Sequence, residues 1–169
     1  MAEPLLDAEA IRTLLLEVAE ELDGERVEVV IVGGALLALN GLRDATTDVD
    51  TVRSIGDRLE AAVARVAERH DLAPKWLNDR SRPFVPATFD VDACEIVLDD
   101  PRLLVLGAPL DQVFLMKVHA GRATDAADLG ALWPRCSFGT PAAAAAAYRA
   151  AYPHEEPDPH LAAWISSVT

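Results

Sequence analysis

Six consecutive residues, Val27-Glu28-Val29-Val30-Ile31-Val32, are β-branched at every position but one and run directly into Gly33-Gly34. Such a run reads as a short buried strand. The two glycines mark a sharp turn, and Ala35 to Asn40 then resumes a helical pattern closed by Gly41. A strand, a glycine turn and a helix opening without a spacer is the local plan around which the remaining elements must be arranged. The turn leaves backbone N–H groups exposed where no Cβ obstructs approach, which suits a phosphate. Taken alone, Gly-Gly at this place is more often the mark of an ordinary tight turn.

Apolar residues at helical spacing predict an amphipathic helix over residues 5–22, ended by Asp23-Gly24, and a second over 55–70. Polar–apolar alternation predicts a half-buried strand over 46–52, and the three prolines in 74–88 predict a loop. Phe89 to Leu98 and Leu103 to Leu106 read as two further strands joined by Asp99-Asp100-Pro101-Arg102. Pro109 opens a helix at Leu110 to Ala120, with Asp111 in its first turn. A shorter helix follows over 124–133 with Thr124 as its cap, then an alanine helix after Pro141 and a last apolar turn at Leu161 to Ile165. This order predicts an α+β fold, a small mixed sheet flanked by helices. The expected division is a domain over 1–133 with a helical C-terminal extension over 134–169 packed on it.

The chain has 169 residues, of which 51% are hydrophobic and 25% charged, enough for one domain with a real core. No stretch has the roughly 20 apolar residues of a membrane span, and the acidic start, Glu3 before Pro4, does not read as a signal peptide. Cys94 and Cys136 share no metal-ligand spacing and read as free thiols of a cytoplasmic protein. The formal net charge of −13 argues against a broad, non-specific nucleic-acid surface.

In Asp48-Val49-Asp50 the carboxylates are i and i+2 on an expected strand. Both therefore leave the same face, with Cα atoms roughly 6.5–7 Å apart. Two ionised carboxylates so placed repel each other. A hard cation such as Mg²⁺ relieves this, and it typically takes one or two protein carboxylates together with phosphate oxygens. The plainer reading is a solvated strand face. Thr46 and Thr47, just before the acids, can donate hydroxyls to phosphate. A phosphate cradle and a metal pair are the minimum equipment for phosphoryl-type transfer, where the protein mainly positions groups and neutralises charge.

Val32-Gly33-Gly34 followed by Asp48-Val49-Asp50 resembles the signature of the DNA polymerase β-type nucleotidyltransferase superfamily. Ala45-Thr46-Thr47, Trp76-Leu77-Asn78-Asp79 and the stretch from Leu115 through Lys117 and Arg122 to Asp125 and Asp128 resemble a subgroup of AbiEii-type and MenT-type toxins and minimal nucleotidyltransferases. The resemblance spans about residues 29–133. It implies that Gly33 and Gly34, with Thr46, Thr47 and Arg122, bind the triphosphate of an NTP, and that Asp48 and Asp50 bind Mg²⁺ (or Mn²⁺). It implies that Lys117 contacts phosphate and that Asp125 or Asp128 supplies a further acid. Asp90 and Asp92, expected on one strand face, are alternative third carboxylates. The implied acceptor is tRNA, with the protein acting as the toxin beside a cognate antitoxin.

Some residues depart from the pattern or have a simpler role. Polymerase-type enzymes often carry Gly-Ser where this chain has Gly33-Gly34, and a basic residue often precedes the threonine where Asp44-Ala45 stands, Arg43 lying just upstream. Lys117 is also explicable as a snorkelling side chain, and Asp125 and Asp128 as acids at a helix start. His119, two residues from Lys117, cannot share its helix face. Two other functions fit the sequence: transfer to a small molecule or protein hydroxyl, and a non-catalytic binding module or antitoxin that keeps the fold.

Overall fold

A computed structural model describes residues 3–169. The β-branched run becomes β1 (Val27–Val32), the central strand of a five-stranded mixed sheet of order β3-β2-β1-β5-β4. Val29 to Val32 are all buried, as expected for a strand covered on both faces rather than one. The other strands are β2 (Val49–Thr51), β3 (Leu77–Asn78), β4 (Glu95–Asp99) and β5 (Leu103–Gly107). β1 runs parallel to β5 and antiparallel to β2, β2 runs parallel to β3, and β4 closes the far edge antiparallel to β5. Among the described residues seven α-helices complete the α+β fold: α1 (Ala8–Glu21), α2 (Gly33–Leu39), α3 (Asp57–His70), α4 (Leu110–Ala120), α5 (Ala126–Leu132), α6 (Pro141–Ala151) and α7 (Leu161–Val168). Among the described residues no helix is long and apolar enough to cross a membrane.

The chain divides into two compact units. The first comprises the chain up to Pro83 together with Cys94–Ala108, and so holds the whole sheet with α1, α2 and α3. Its core joins β1 to the apolar faces of α1 (Ile11, Leu15, Val18) and α3 (Leu59, Val63, Val66). The second comprises Phe84–Ala93 and Pro109–Thr169. Its core gathers Phe114, Leu115, Leu129, Leu132, Ala144 and Ile165, all nearly inaccessible to solvent. Phe114 packs against Trp133 and Phe138 at centroid separations of 5.6 and 5.4 Å.

Several element boundaries differ from the sequence expectations for identifiable reasons. The first helix starts at Ala8 rather than residue 5 because the Asp7 carboxylate caps it, accepting from Ala10 N at 2.8 Å. Leu6 instead pairs its backbone with Thr46, at 2.7 and 2.9 Å. That bridge claims one end of the strand expected over 46–52, leaving only Val49–Thr51 in the ladder. The proline loop contains β3 and a 3-10 turn over Arg82–Phe84. The strand expected from Phe89 begins only at Glu95, because Asp90 accepts from Asp92 N and a 3-10 turn occupies Val91–Ala93. Thr124 caps nothing: it lies within a 3-10 turn, Ala123–Asp125, that leads into α5. Thr140 does cap α6, its hydroxyl accepting from Ala143 N at 3.1 Å with Pro141 at the first helical position.

Two predictions concern this scaffold. Thr51 is fully buried, and its hydroxyl oxygen accepts from Val30 N at 3.0 Å and Arg53 N at 3.2 Å. Thr51→Val keeps the shape but strips those donors of an acceptor, and should cost about 1–3 kcal/mol in denaturant unfolding. A stability equal to wild type would show that the hydroxyl is dispensable. The second lies on the α1–α3 seam, where His70 Nε2 and Arg69 Nη2 approach the Glu17 carboxylate at 2.8 and 3.1 Å. The His70 hydrogen bond, assisted by Arg69 and opposed by burial, holds Glu17 below its ordinary value of 4.5. The folded value lies under the unfolded one, so this stabilisation is complete above pH 4.5 and fades as pH falls through the lowered value. Glu17→Gln should cost up to about 1 kcal/mol near neutrality, with wild-type and variant melting temperatures converging below pH 4.5.

Candidate functional site at the β1–α2 turn and β2

Gly33 has φ of +65°, a left-handed conformation that favours glycine. It turns the chain from β1 into α2 and brings the turn against β2: a Cβ on Gly33 would lie 3.3 Å from Asp50 Oδ2. Gly34 has ordinary backbone angles but no room. A Cβ there would meet Thr46 Oγ1 at 2.9 Å and Arg43 Nη1 at 3.0 Å. A serine at position 34 would therefore collide with side chains already in place. The buried Thr46 hydroxyl fills the space that a side chain on residue 34 would take. Arg43 has its guanidinium beside the same glycine, with Nε donating to Ala45 O at 2.9 Å. Thr47 is exposed.

The acid pair stands beside this turn. Asp50 occupies the middle of β2, paired in register with Val32 on one side and Asn78 on the other. Residues side by side in a parallel ladder project from the same face, so Asp50 and Asn78 share one. Asp48 lies just before the strand, half-buried, and its Oδ2 accepts from Arg80 Nη2 at 2.9 Å. Arg80 reaches back to Asp48 because Asn78 makes a turn: Asn78 Oδ1 accepts from both Arg80 N at 3.1 Å and Arg80 Nε at 2.9 Å. Asn78 is 4% exposed, and its Nδ2 has no hydrogen-bond partner among the described residues.

The neighbours of Asn78 have structural duties. Trp76 is buried and donates from Nε1 to Val63 O at 3.2 Å, and Asp79 Oδ2 accepts from Ile55 N at 3.1 Å just ahead of α3. Neither Arg80 nor Asn78 stood out in the sequence as a site residue. The available signal was the Asn78-x-Arg80 spacing, which permits an Asx turn returning the arginine over the asparagine.

Lys117, Asp125 and Asp128 meet within the second unit. Lys117 Nζ lies 3.0 Å from Asp125 Oδ1 and 2.8 Å from Asp128 Oδ2, and all three side chains are about nine-tenths buried (11%, 11% and 12% exposed). Gly121, at φ +60°, ends α4 and lets the chain fold back so that the 3-10 turn Ala123–Asp125 and the first turn of α5 bring Asp125 and Asp128 to Lys117. The mutual pairing of the three gives each a structural partner without any ligand. Arg122 is exposed in the connection. Asp90 and Asp92 are exposed and sit at a 3-10 turn, so the strand face expected to present them does not exist. His119 faces away from Lys117's partners: it stacks on Tyr152 at 4.0 Å, and its Nδ1 is 3.0 Å from Tyr148 Oη.

Two other features lack the required chemistry. Burial, with Asp111 adding to it, pushes the Cys136 thiol up to about 12, which leaves it a poor nucleophile. A groove of about 440 Å³ is lined by Leu6, Asp7, Ala10, Leu14 and His70 among others, and by none of the glycines or acids above. No family model, curated protein or solved structure matches this chain.

The triad generates a prediction. Lys117→Met leaves two buried carboxylates without their shared cation, and should cost about 3 kcal/mol or more in chemical denaturation. Adding Asp125→Asn and Asp128→Asn to that variant should recover most of the loss. Full stability of Lys117→Met alone would contradict the account.

Proposed function

We propose that the protein is a metal-dependent nucleotidyltransferase that moves a nucleoside monophosphate from NTP to an acceptor hydroxyl. The observation that carries the reading is the close approach of the Gly33 turn to Asp50, with Asp48 two residues away. Phosphate needs backbone donors with no side chain in the way, and the attached divalent cation needs a small number of carboxylates. The donor set suits Mg²⁺ or Mn²⁺, since a magnesium ion shared with phosphates takes only one or two protein carboxylates. That Asp48 already accepts a guanidinium supports its capacity to hold positive charge.

In the proposed reaction the acceptor oxygen forms a bond to the α-phosphorus while the bond to the bridging oxygen breaks. Pyrophosphate leaves with the electron pair, and the hydroxyl proton passes to a carboxylate or to water. The bound cation supplies charge neutralisation on the phosphates. Within this chain, Asp48 and Asp50 hold it, the Gly33-Gly34 turn and Thr46 border the phosphates, and Arg43 adds positive charge beside Gly34. Lys117 as a phosphate contact and Asp125 or Asp128 as a further acid, all three in the second unit, enter the reading through the resemblance alone. The Lys117→Met, Asp125→Asn, Asp128→Asn variant separates those roles from the structural one, because a stable but inactive protein requires them.

The acceptor in this reading is tRNA, and the biological setting is a toxin paired with an antitoxin. A second reading keeps the chemistry and changes the acceptor to a small-molecule or protein hydroxyl; the net charge of −13 favours it, since tRNA binding draws on basic surface. Incubation with Mg²⁺, labelled NTPs and either total tRNA or a cell extract tests both. Label should transfer with wild type and fall by at least about 100-fold with Asp48→Ala, the scale on which lost charge stabilisation acts. Equal labelling by the two proteins would remove Asp48 from catalysis. Absence of Mg²⁺ and NTP binding in calorimetry would leave a non-catalytic binding module.

A further inference from the structure

Asp48 accepts a hydrogen bond from Arg80 at 2.9 Å, on the carboxylate that the proposed function assigns to a divalent cation. The Arg80 side chain is 72% exposed. An ion pair so open to water is weak and exchangeable. Its root, however, is fixed, since Arg80 N and Nε both donate to Asn78 Oδ1 inside the sheet edge. Those two donors also fix the orientation of the Asn78 amide. A flipped amide would set NH₂ against two N–H donors. Nδ2 is therefore the group left over, on a residue 4% exposed and in register with Asp50. A buried amide donor without an acceptor is costly, and here it sits beside the acid pair.

We infer that Arg80 and Asn78 form an exchange arm for an anionic, cation-bound ligand, a deduction that rests on Asp48 and Asp50 binding a divalent cation. Without ligand, Arg80 serves as the counter-charge of Asp48. When the cation arrives, positive charge on Asp48 is duplicated, and the guanidinium transfers to the ligand's phosphate oxygens, for which its planar fork is suited. Asn78 is the positioning residue: it keeps the base of the arm in place, and its Nδ2 finds an acceptor in the ligand or its water shell. Arg80 thus competes with the bare cation and cooperates with the cation–phosphate pair, so the two affinities change in opposite directions when it is removed. A residue that merely stabilised the loop would lower both.

Titration of the full chain with Mn²⁺ alone, and with Mn²⁺ plus inorganic triphosphate, tests this without assuming a base or an acceptor. Arg80→Ala should bind Mn²⁺ about threefold to fivefold more tightly, the fold-change of a released surface ion pair. The same variant should bind triphosphate with Mn²⁺ at least about 10-fold more weakly, the loss of one charge-assisted contact. Arg80→Lys, which keeps the charge and loses the fork, should fall between, and Asn78→Ala should shift both affinities in the directions of Arg80→Ala. Unchanged or weaker Mn²⁺ binding by Arg80→Ala, with wild-type binding that depends on Asp48, would overturn the exchange alone. Wild-type protein that binds no Mn²⁺, or binds it undiminished after Asp48→Ala, would overturn the cation assignment and the exchange with it.

Discussion

The pairing of β2 with both of its neighbours is the constraint on which the rest of the site depends. Val32↔Asp50 and Asp50↔Asn78 are register positions in one sheet. Because side chains alternate with a period of two, a slip of one residue would turn Asp50 into the core and Val49 out of it. Val49 is fully buried, and Thr51 is buried on the same side, accepting from Val30 N. The apolar and hydrogen-bonding needs of these two residues therefore hold the intervening acid toward the glycine turn. A three-residue strand is short for such a task, and it is reinforced by the Leu6–Thr46 bridge ahead of it and by Val49 N donating to Trp76 O at 2.6 Å.

Much of the framework was legible from residue pattern. The β-branched run of β1, the apolar spacing of α3, Pro109 ahead of α4 and the alanine content of α6 are each strong enough to decide type, and β1 and α4 fall on the expected residues. What escaped was set by partners distant in sequence or by side-chain capping. Leu5 and Leu6 continue the apolar pattern of α1, yet Asp7 caps the helix after them and Leu6 pairs with a residue forty positions away. β3 is two residues long and exists because β2 lies alongside it, so no local propensity announces it. Phe89 to Ala93 alternates like a strand, but the Asp90 side chain satisfies a backbone N–H two residues on and closes a turn instead.

The candidate site divides along the same line. Gly33, Gly34, Asp48 and Asp50 were visible because a glycine turn and an i, i+2 acid pair are local patterns. Arg43 and Asn78 were visible only as an upstream basic residue and a member of a resembling stretch, and Arg80 not at all, since each acquires its place in the site only from what it touches. Arg43 lies over a glycine nine residues earlier, and Arg80 folds back across an Asx turn to an acid on the neighbouring strand. Lys117 had two readings, and the structure adds that two buried carboxylates share it. A lysine on an apolar helix with its counter-ions eight and eleven residues ahead cannot be recognised as paired until a left-handed glycine is known to reverse the chain between them.

The crowding at Gly34 has an implication for how such a turn can vary. The pocket beside the residue holds a fixed volume of atoms, supplied from across the turn by the Thr46 hydroxyl and the Arg43 guanidinium. A larger side chain at position 34 requires a smaller or retracted one at 46, so the two positions behave as a single allotment of space divided between two places in the chain. Position 34 is thus free to grow only together with a change across the turn, and neither residue can be read for its volume without the other.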